Sequence, residues 1–160
     1  FLAEMERLHM IVDVSHLSDK GFWDIVQHST RPFAASHSNC RALAPHCRNL
    51  TDEMIRAMAE RGCIAGLNYC TVFLDDQPDP ADCRSTAALI AQHAAHFKQV
   101  GGAQMIALGS DFDGIGGPLE LDSCAKMPLL ADALRKAGFT EDEVEGIFWR
   151  NARRFFEENL

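Results

Sequence analysis

The sequence predicts an α/β fold built on parallel strands, and two observations indicate it. Short apolar segments alternate four times with segments in which apolar residues recur at helical spacing. Such alternation requires parallel strands joined by right-handed crossovers. Polar side chains follow the predicted strands directly and none precedes one, at His16, His37, Asn68 and Asp111. Because parallel strands end at the same edge of a sheet, we expect these four side chains to lie together.

The first part of the chain provides two strand-and-helix units. Residues 2–8 carry apolar side chains at helical spacing, and the apolar residues 10–14 form the first predicted strand. Ser18 can cap the next helix, which runs to about His28. The short apolar segment 32–36 is then the second predicted strand.

A polar stretch follows at residues 37–49 and is long for a connection in a compact domain. Its length and polarity favour a functional loop. Thr51 begins a third helix, which Gly62 ends, and residues 63–69 form the third strand. An acidic loop that contains prolines comes next, at residues 75–82.

The last part of the chain adds one more strand and three helices. Their predicted ranges are 85–99 for a long helix, 105–108 for the fourth strand, and 128–136 and 141–158 for two closing helices. Thr140 followed by Glu143 is a capping box and marks the start of the final helix.

Composition limits the classes of protein that the chain can belong to. Its 160 residues, 47% of them hydrophobic, can bury one core, so we predict one domain over residues 1–160. The net charge of −8 argues against a nucleic-acid partner. No apolar run approaches the roughly 20 residues that cross a bilayer. The six cysteines form no Cys-x-x-Cys pair, which favours reduced, mostly buried thiols and a cytoplasmic protein.

Two Ser-His pairs carry the main chemical signal. His16 ends the first predicted strand and His37 ends the second, each directly after a serine. If these strands are neighbours, both imidazoles emerge at one end of the sheet, where they can bind a divalent metal. Each histidine alone could instead cap a helix or pack in the core. The repeated context favours the metal site.

Several motifs together resemble the C-terminal half of the membrane dipeptidase (renal dipeptidase) family, peptidase family M19, a branch of the metal-dependent amidohydrolases. They keep the family's order and spacing over nearly all of the chain, at residues 11–18, 32, 36–38, 41–43, 48–50, 66–68, 109–114, 151 and 154–155. The alternation alone leaves open a four-stranded α/β domain or half of a barrel. The resemblance implies the second, about four β/α units (strands five to eight) of a TIM (β/α)8 barrel.

The resemblance also implies roles for individual residues. His16 and His37 would bind one of two zinc ions, and Asp111 would take a proton from a metal-bridging water and pass it to the leaving amine. Arg48 would bind the free carboxylate of a dipeptide substrate, with Asn68 as a further substrate-binding candidate. Simpler roles compete with these. Arg48 could be a solvated charge, Asp111 could cap a loop, and Asn68 could bond the backbone of a neighbouring strand end.

The resemblance implies an incomplete site, because the family's other metal ligands belong to the first half of the barrel. Two imidazoles under-coordinate zinc, so the chain alone is expected to bind metal weakly and to be inactive. Half a barrel also exposes two strand edges and one face of its core. We therefore expect association with a chain that carries the first half, or with a second copy. The function is then part of a zinc dipeptidase or, alternatively, that of a truncated, inactive fragment with a structural or regulatory role.

Overall fold

A parallel sheet organises the computed structural model, which describes residues 1–160. Its three strands are β1 (Ala34–Ala35), β2 (Ile64–Leu67) and β3 (Ile106–Leu108), hydrogen-bonded in that order. The strands follow one another along the chain and in space, as the predicted crossovers require. The sheet is open, and its carboxyl edge carries the residues that follow each strand.

The first predicted strand, 10–14, is only partly formed. It reaches β1 through one parallel bridge between Asp13 and Ala34, with hydrogen bonds on either side of it. The reason lies in β1, which is too short to pair with a longer partner. Pro32 has no N–H to donate, and the backbone N–H groups of Thr30 and Arg31 bind the Glu6 carboxylate instead.

Eight α-helices surround the sheet: α1 (Leu2–Arg7), α2 (Asp19–His28), α3 (Asp52–Glu60), α4 (Thr71–Leu74), α5 (Ala87–Gly101), α6 (Met127–Lys136), α7 (Glu141–Glu145) and α8 (Asn151–Asn159). The predicted caps are confirmed, because Ser18, Thr51 and Thr140 each accept a backbone N–H three residues on. The capping box of Thr140 and Glu143 is also present. The final predicted helix is wrong in one respect: a π-helical turn, Gly146–Arg150, separates α7 from α8.

The core lies on both faces of the sheet. On one face, side chains such as Ala65, Leu67 and Ile106 join a cluster of 29 buried residues that includes the apolar sides of α3, α5 and α6. On the other face, Ala34, Ile64 and Ala107 pack under Phe155 of α8 and are 6–8% exposed. The prediction of an exposed core face is therefore wrong for these three side chains, because α8 covers them.

The outer edge of β3 is capped by a side chain rather than by a strand. Asn151 is buried, and its Nδ2 donates to the carbonyl oxygens of Ala103 (2.9 Å) and Ile106 (2.8 Å). These bonds satisfy carbonyl groups that would otherwise lack a partner next to the core. Asn151 thus attaches the start of α8 to the edge of the sheet.

The cysteines are less buried than predicted. All six are free thiols; Cys40, Cys63 and Cys83 are buried, whereas Cys47 and Cys124 are exposed. Separately, none of the helices is both long and apolar enough to cross a membrane.

His93 is a buried histidine on α5. Its Nδ1 accepts the backbone N–H of Cys40 (3.0 Å), and its Nε2 donates to the carbonyl oxygen of Leu74 (3.1 Å). The ring therefore ties α5 to the long loop and to α4. Burial lowers the pKa of His93 to about 4, so the imidazole is neutral in the folded protein at neutral pH.

This buried imidazole predicts a pH dependence of stability. Because the pKa of His93 is about 4 when folded and about 6.5 when exposed, the unfolded chain binds more protons between these values. Above pH 6.5 the neutral His93 makes its full contribution to the free energy of unfolding. As the pH drops from about 6.5 to about 4, the free energy of unfolding falls by up to about 3 kcal/mol. Urea unfolding across this range measures the slope. His93→Gln keeps one acceptor and one donor without titrating and should flatten it; an unchanged slope would contradict the assignment.

Candidate metal and substrate site

The two Ser-His pairs meet at the carboxyl edge of the sheet, as predicted. The Nε2 atoms of His16 and His37 lie 2.9 Å apart, and the ring centroids are 4.9 Å apart. His16 follows the bridge segment at Asp13, and His37 follows β1, which is its neighbour in the sheet. Neighbouring parallel strands thus bring the two imidazoles together from positions 21 residues apart.

Asp111 follows β3 at the same edge and has an unusual backbone. Its φ is 62°, in the left-handed region that non-glycine residues rarely adopt. The carboxylate accepts a hydrogen bond from Asn68 Nδ2 (3.2 Å), and a Cβ on Gly114 would collide with its Oδ1. A strained backbone conformation of this type often marks a functional position. The surrounding residues therefore hold the Asp111 carboxylate in a defined orientation.

Asn68 is fully buried and its amide is used within the protein. The side-chain Oδ1 of Asn68 accepts the backbone N–H of Cys70 (2.6 Å), and the backbone N–H of Asn68 donates to Asn39 Oδ1 (3.0 Å). The simpler role is therefore only partly matched, because the Asn68 side chain bonds the backbone of its own segment at Cys70 and not that of a neighbouring strand end. Its bond to Asp111 adds an orienting function, and a direct substrate contact stays a prediction.

Arg48 lies in the long polar loop, which two buried asparagine side chains fasten to α4. Asn39 and Asn49 both donate from Nδ2 to the carbonyl oxygen of Phe73, at 3.2 and 2.9 Å. The Arg48 guanidinium stacks over the Phe73 ring, 5.6 Å from its centroid. Its Nη2 is buried and has no hydrogen-bond partner. A cationic donor in this state is suited to bind an anion.

His37 and Arg48 each feel the charges of the Asp111 and Asp13 carboxylates. Burial lowers the pKa of His37, Arg48 and His16 lower it further, and the Asp111 and Asp13 carboxylates oppose the change. Burial also lowers the pKa of Arg48, again opposed by Asp111 and Asp13. His37 is therefore a neutral imidazole at neutral pH, which is the form that binds metal ions.

Sequence reasoning missed Asp13, which connects the two Ser-His pairs. Its Oδ1 accepts the backbone N–H groups of Ser15 (3.1 Å) and Ser36 (3.0 Å), and its Oδ2 accepts the Ser36 hydroxyl (2.5 Å). Burial alone would raise the pKa of Asp13, but these hydrogen bonds outweigh burial and lower it. The signal was present as an aspartate in the otherwise apolar segment before Ser15.

The residues present fit part of a metal site. Both imidazoles can direct Nε2 at one ion, and nitrogen ligands about 2.0–2.1 Å from a tetrahedral zinc lie about 3.3 Å apart. The observed 2.9 Å is close to that separation. However, the structure contains no group of three or more His, Cys, Asp or Glu side chains that could hold an ion. His16 and His37 are therefore two candidate ligands, and they do not complete a coordination shell by themselves.

The site lies on an open surface, and a larger cavity is elsewhere. That cavity, of about 610 Å³, lies along α7, the π-helical turn and α8, next to Gln104, Trp149 and Arg154. It contains none of the predicted site residues. Next to Arg48 and Ser15 there is only a space of about 10 Å³. Strand-end chemistry, not cavity size, identifies the candidate site.

Comparison with known proteins gives a consistent family. The model of the membrane dipeptidase family (peptidase family M19) matches residues 1–159. An uncharacterised protein from the region 5′ of pqqA in Klebsiella pneumoniae is 38% identical over 150 residues, which cover 94% of this chain and 55% of that protein. An uncharacterised dipeptidase of Schizosaccharomyces pombe is 32% identical, covering 98% of this chain and 37% of that protein.

A solved structure shares the fold. The metallopeptidase of Rhodobacter sphaeroides, crystallised with a phosphinate mimic of the dipeptide L-Ala-D-Ala, superimposes with a TM-score of 0.89 at 32% identity. The match covers 99% of this chain and 45% of that structure. The chain thus spans about half the length of the relatives that it resembles, or less.

Proposed function

Because the chain belongs to the membrane dipeptidase family, peptidase family M19, we propose that it supplies one side of a zinc-dependent dipeptidase site. The observation that carries the proposal is the buried, unpartnered Arg48 Nη2 in a cluster with the paired imidazoles of His16 and His37. The cluster combines groups that suit a dipeptide carboxylate and a metal ion. Asp111 adds a carboxylate that can move a proton.

The proposed architecture is half of a (β/α)8 barrel. The bridge segment, β1, β2 and β3 would be strands five to eight, with the site at their carboxyl ends. The high TM-score over 45% of the solved metallopeptidase supports this proposal. A chain carrying the other strands, or a second copy of this chain, would supply the other wall of the site.

In the proposed mechanism each residue has one task. His16 and His37 would hold one of two zinc ions, and zinc would supply Lewis acidity, which would lower the pKa of water to about 7. Arg48 binds the substrate carboxylate and orients the peptide bond. Asp111 accepts a proton as the water oxygen bonds to the carbonyl carbon, then donates it to the amine as the C–N bond breaks. Asn68 keeps the Asp111 carboxylate oriented through its 3.2 Å hydrogen bond.

The alternative is a truncated, inactive fragment with a structural or regulatory role. The lack of a third metal ligand near His16 and His37 is expected under both proposals, so it does not separate them. The two proposals differ in the activity expected when the other half of the barrel is supplied. An inactive fragment would not become a dipeptidase when the rest of a barrel is supplied.

A fusion protein tests the choice between them. The fusion protein joins the N-terminal half of the Rhodobacter sphaeroides peptidase to residue 1 of this chain, and hydrolysis of L-Ala-D-Ala is measured with added zinc. We expect about two zinc ions per molecule and turnover that His16→Ala abolishes. A folded fusion protein without zinc or turnover would favour the inactive fragment. Size-exclusion chromatography of the chain alone tests the proposed association, which a stable monomer would exclude.

Replacing Arg48 tests substrate recognition. In the fusion protein, Arg48→Gln is expected to raise the KM for L-Ala-D-Ala by about 10–100-fold, because a hydrogen-bonded charge pair contributes about 1.5–3 kcal/mol. The variant should act on the C-terminal amide of the same dipeptide as poorly as the unmodified enzyme does. Arg56→Gln, an exposed position on α3, is the matched control. Equal KM values for the Arg48 variant and its parent would contradict the role.

A further inference from the structure

Hydrogen bonds lead from the Asp13 carboxylate through Ser36 to Nδ1 of His37, the ring nitrogen that faces away from His16. The Ser36 hydroxyl oxygen lies 2.5 Å from Asp13 Oδ2 and 2.7 Å from His37 Nδ1. Asp13 Oδ1 is already occupied by the two backbone N–H groups of Ser15 and Ser36. Asp13 is therefore in contact with both segments that end in the candidate ligands.

The direction of these hydrogen bonds follows from counting protons. A carboxylate only accepts, so the single hydroxyl proton of Ser36 is donated to Asp13. The Ser36 oxygen can then only accept from His37, which requires the proton of the imidazole to be on Nδ1. The lone pair of His37 is left on Nε2, the atom that lies 2.9 Å from His16 Nε2.

From this geometry we infer that Asp13 is a positioning residue that sets, through Ser36, the tautomer in which His37 can bind a metal. Ligand histidines commonly depend on such an outer partner for their tautomer and ring orientation. His16 has no corresponding bond at Nδ1 among its hydrogen bonds, so the two imidazoles differ. His37 is held ready as a ligand, and His16 can change tautomer when an ion arrives.

Asp13 also joins the two segments that carry the histidines. Its Oδ1 ties Ser15 to Ser36, and Ser15 Oγ in turn accepts the backbone N–H of His37 (2.9 Å). Ser15 is buried, with 1% of its surface exposed. The two Ser-His segments are thus held together by bonds from the Asp13 and Ser15 side chains to backbone N–H groups, whereas the proton position on Nδ1 depends on the Ser36 hydroxyl.

Asp13→Asn reverses the donor and acceptor roles in the hydrogen bonds from residue 13 through Ser36 to His37, and it keeps the size of the side chain. The asparagine Nδ2 donates to Ser36, so the Ser36 proton turns to His37 Nδ1 and the imidazole proton moves to Nε2. NMR of ring nitrogens in the 160-residue chain, at about pH 8 where His37 is neutral, reads the tautomer directly. We expect Nδ1–H in the parent and in the control Asp24→Asn, which is exposed on α2. We expect Nε2–H in Asp13→Asn at an unchanged melting temperature.

A second variant covers the case in which Asp13→Asn does not fold. Ser36→Ala removes the only donor and acceptor next to Nδ1, so the Nδ1–H preference should be lost. Zinc affinity should fall about 10–100-fold in Asp13→Asn. The inference is overturned if His37 keeps Nδ1–H in either variant.

The importance of this tautomer for catalysis rests on the proposed function, but the NMR result does not. A tautomer that reverses in Asp13→Asn, together with an inactive fusion protein, would leave the positioning role standing and reject the dipeptidase. An active fusion protein, together with a His37 tautomer that does not change in Asp13→Asn, would support the dipeptidase and reject the positioning role.

Discussion

Gly66→Ala is expected to destabilise the chain by about 3 kcal/mol and to lower its melting temperature by about 6–12 °C. Gly66 lies in β2, where the ends of the three strands converge. A Cβ there would collide with the carbonyl oxygen of Ser36 and would lie 3.0 Å from the Cα of Gly109. Both neighbours are backbone, so no side-chain rotation can relieve the overlap. The strand ends that carry His37 and Asp111 must separate.

A matched substitution controls for the general effect of replacing glycine. Gly116→Ala introduces the same methyl group where nothing lies within 4 Å and the φ angle is not in the left-handed region. Its effect should stay within about 0.5 kcal/mol. Differential scanning calorimetry of both variants measures the contrast. Equal melting temperatures would mean that the strand ends can separate at little cost.

Local signals in the sequence predicted most of the fold. The capping residues Ser18, Thr51 and Thr140 mark helix starts through bonds that span only three residues, so the sequence displays them completely. The length of the first strand was overestimated, because that length depends on how far β1 can pair with it. There the Glu6 carboxylate captures backbone donors 24 and 25 residues away. No local pattern reports a contact of that range.

The candidate site shows the same division between local and distant information. The positions of His16 and His37 after neighbouring strands were enough to predict their convergence, since parallel strands end at one edge. Asp13 was missed because its role depends on Ser36, 23 residues further on, lying beside it. The short helix α4 was missed because Thr71, Val72 and Phe73 have poor helix propensity. Its Phe73 nevertheless supports Arg48.

Asp111→Asn is expected to lower the kcat of the fusion protein by about 10²–10⁴-fold, the usual contribution of a general acid–base group. The amide keeps the size of the side chain and can still contact Asn68, so the change removes proton transfer and little else. The KM for L-Ala-D-Ala should change much less than kcat, since Arg48 and the backbone of the site are untouched.

Asp113→Asn is the control for this prediction, because Asp113 is an exposed carboxylate two residues away in the same loop. It should leave kcat and the melting temperature near those of the parent. If both variants were equally impaired, the loop as a whole would be responsible and Asp111 would lose its specific role. If neither were impaired, another group would have to move the proton. A selective loss at Asp111 would instead explain why the chain keeps a non-glycine residue at a φ of 62°.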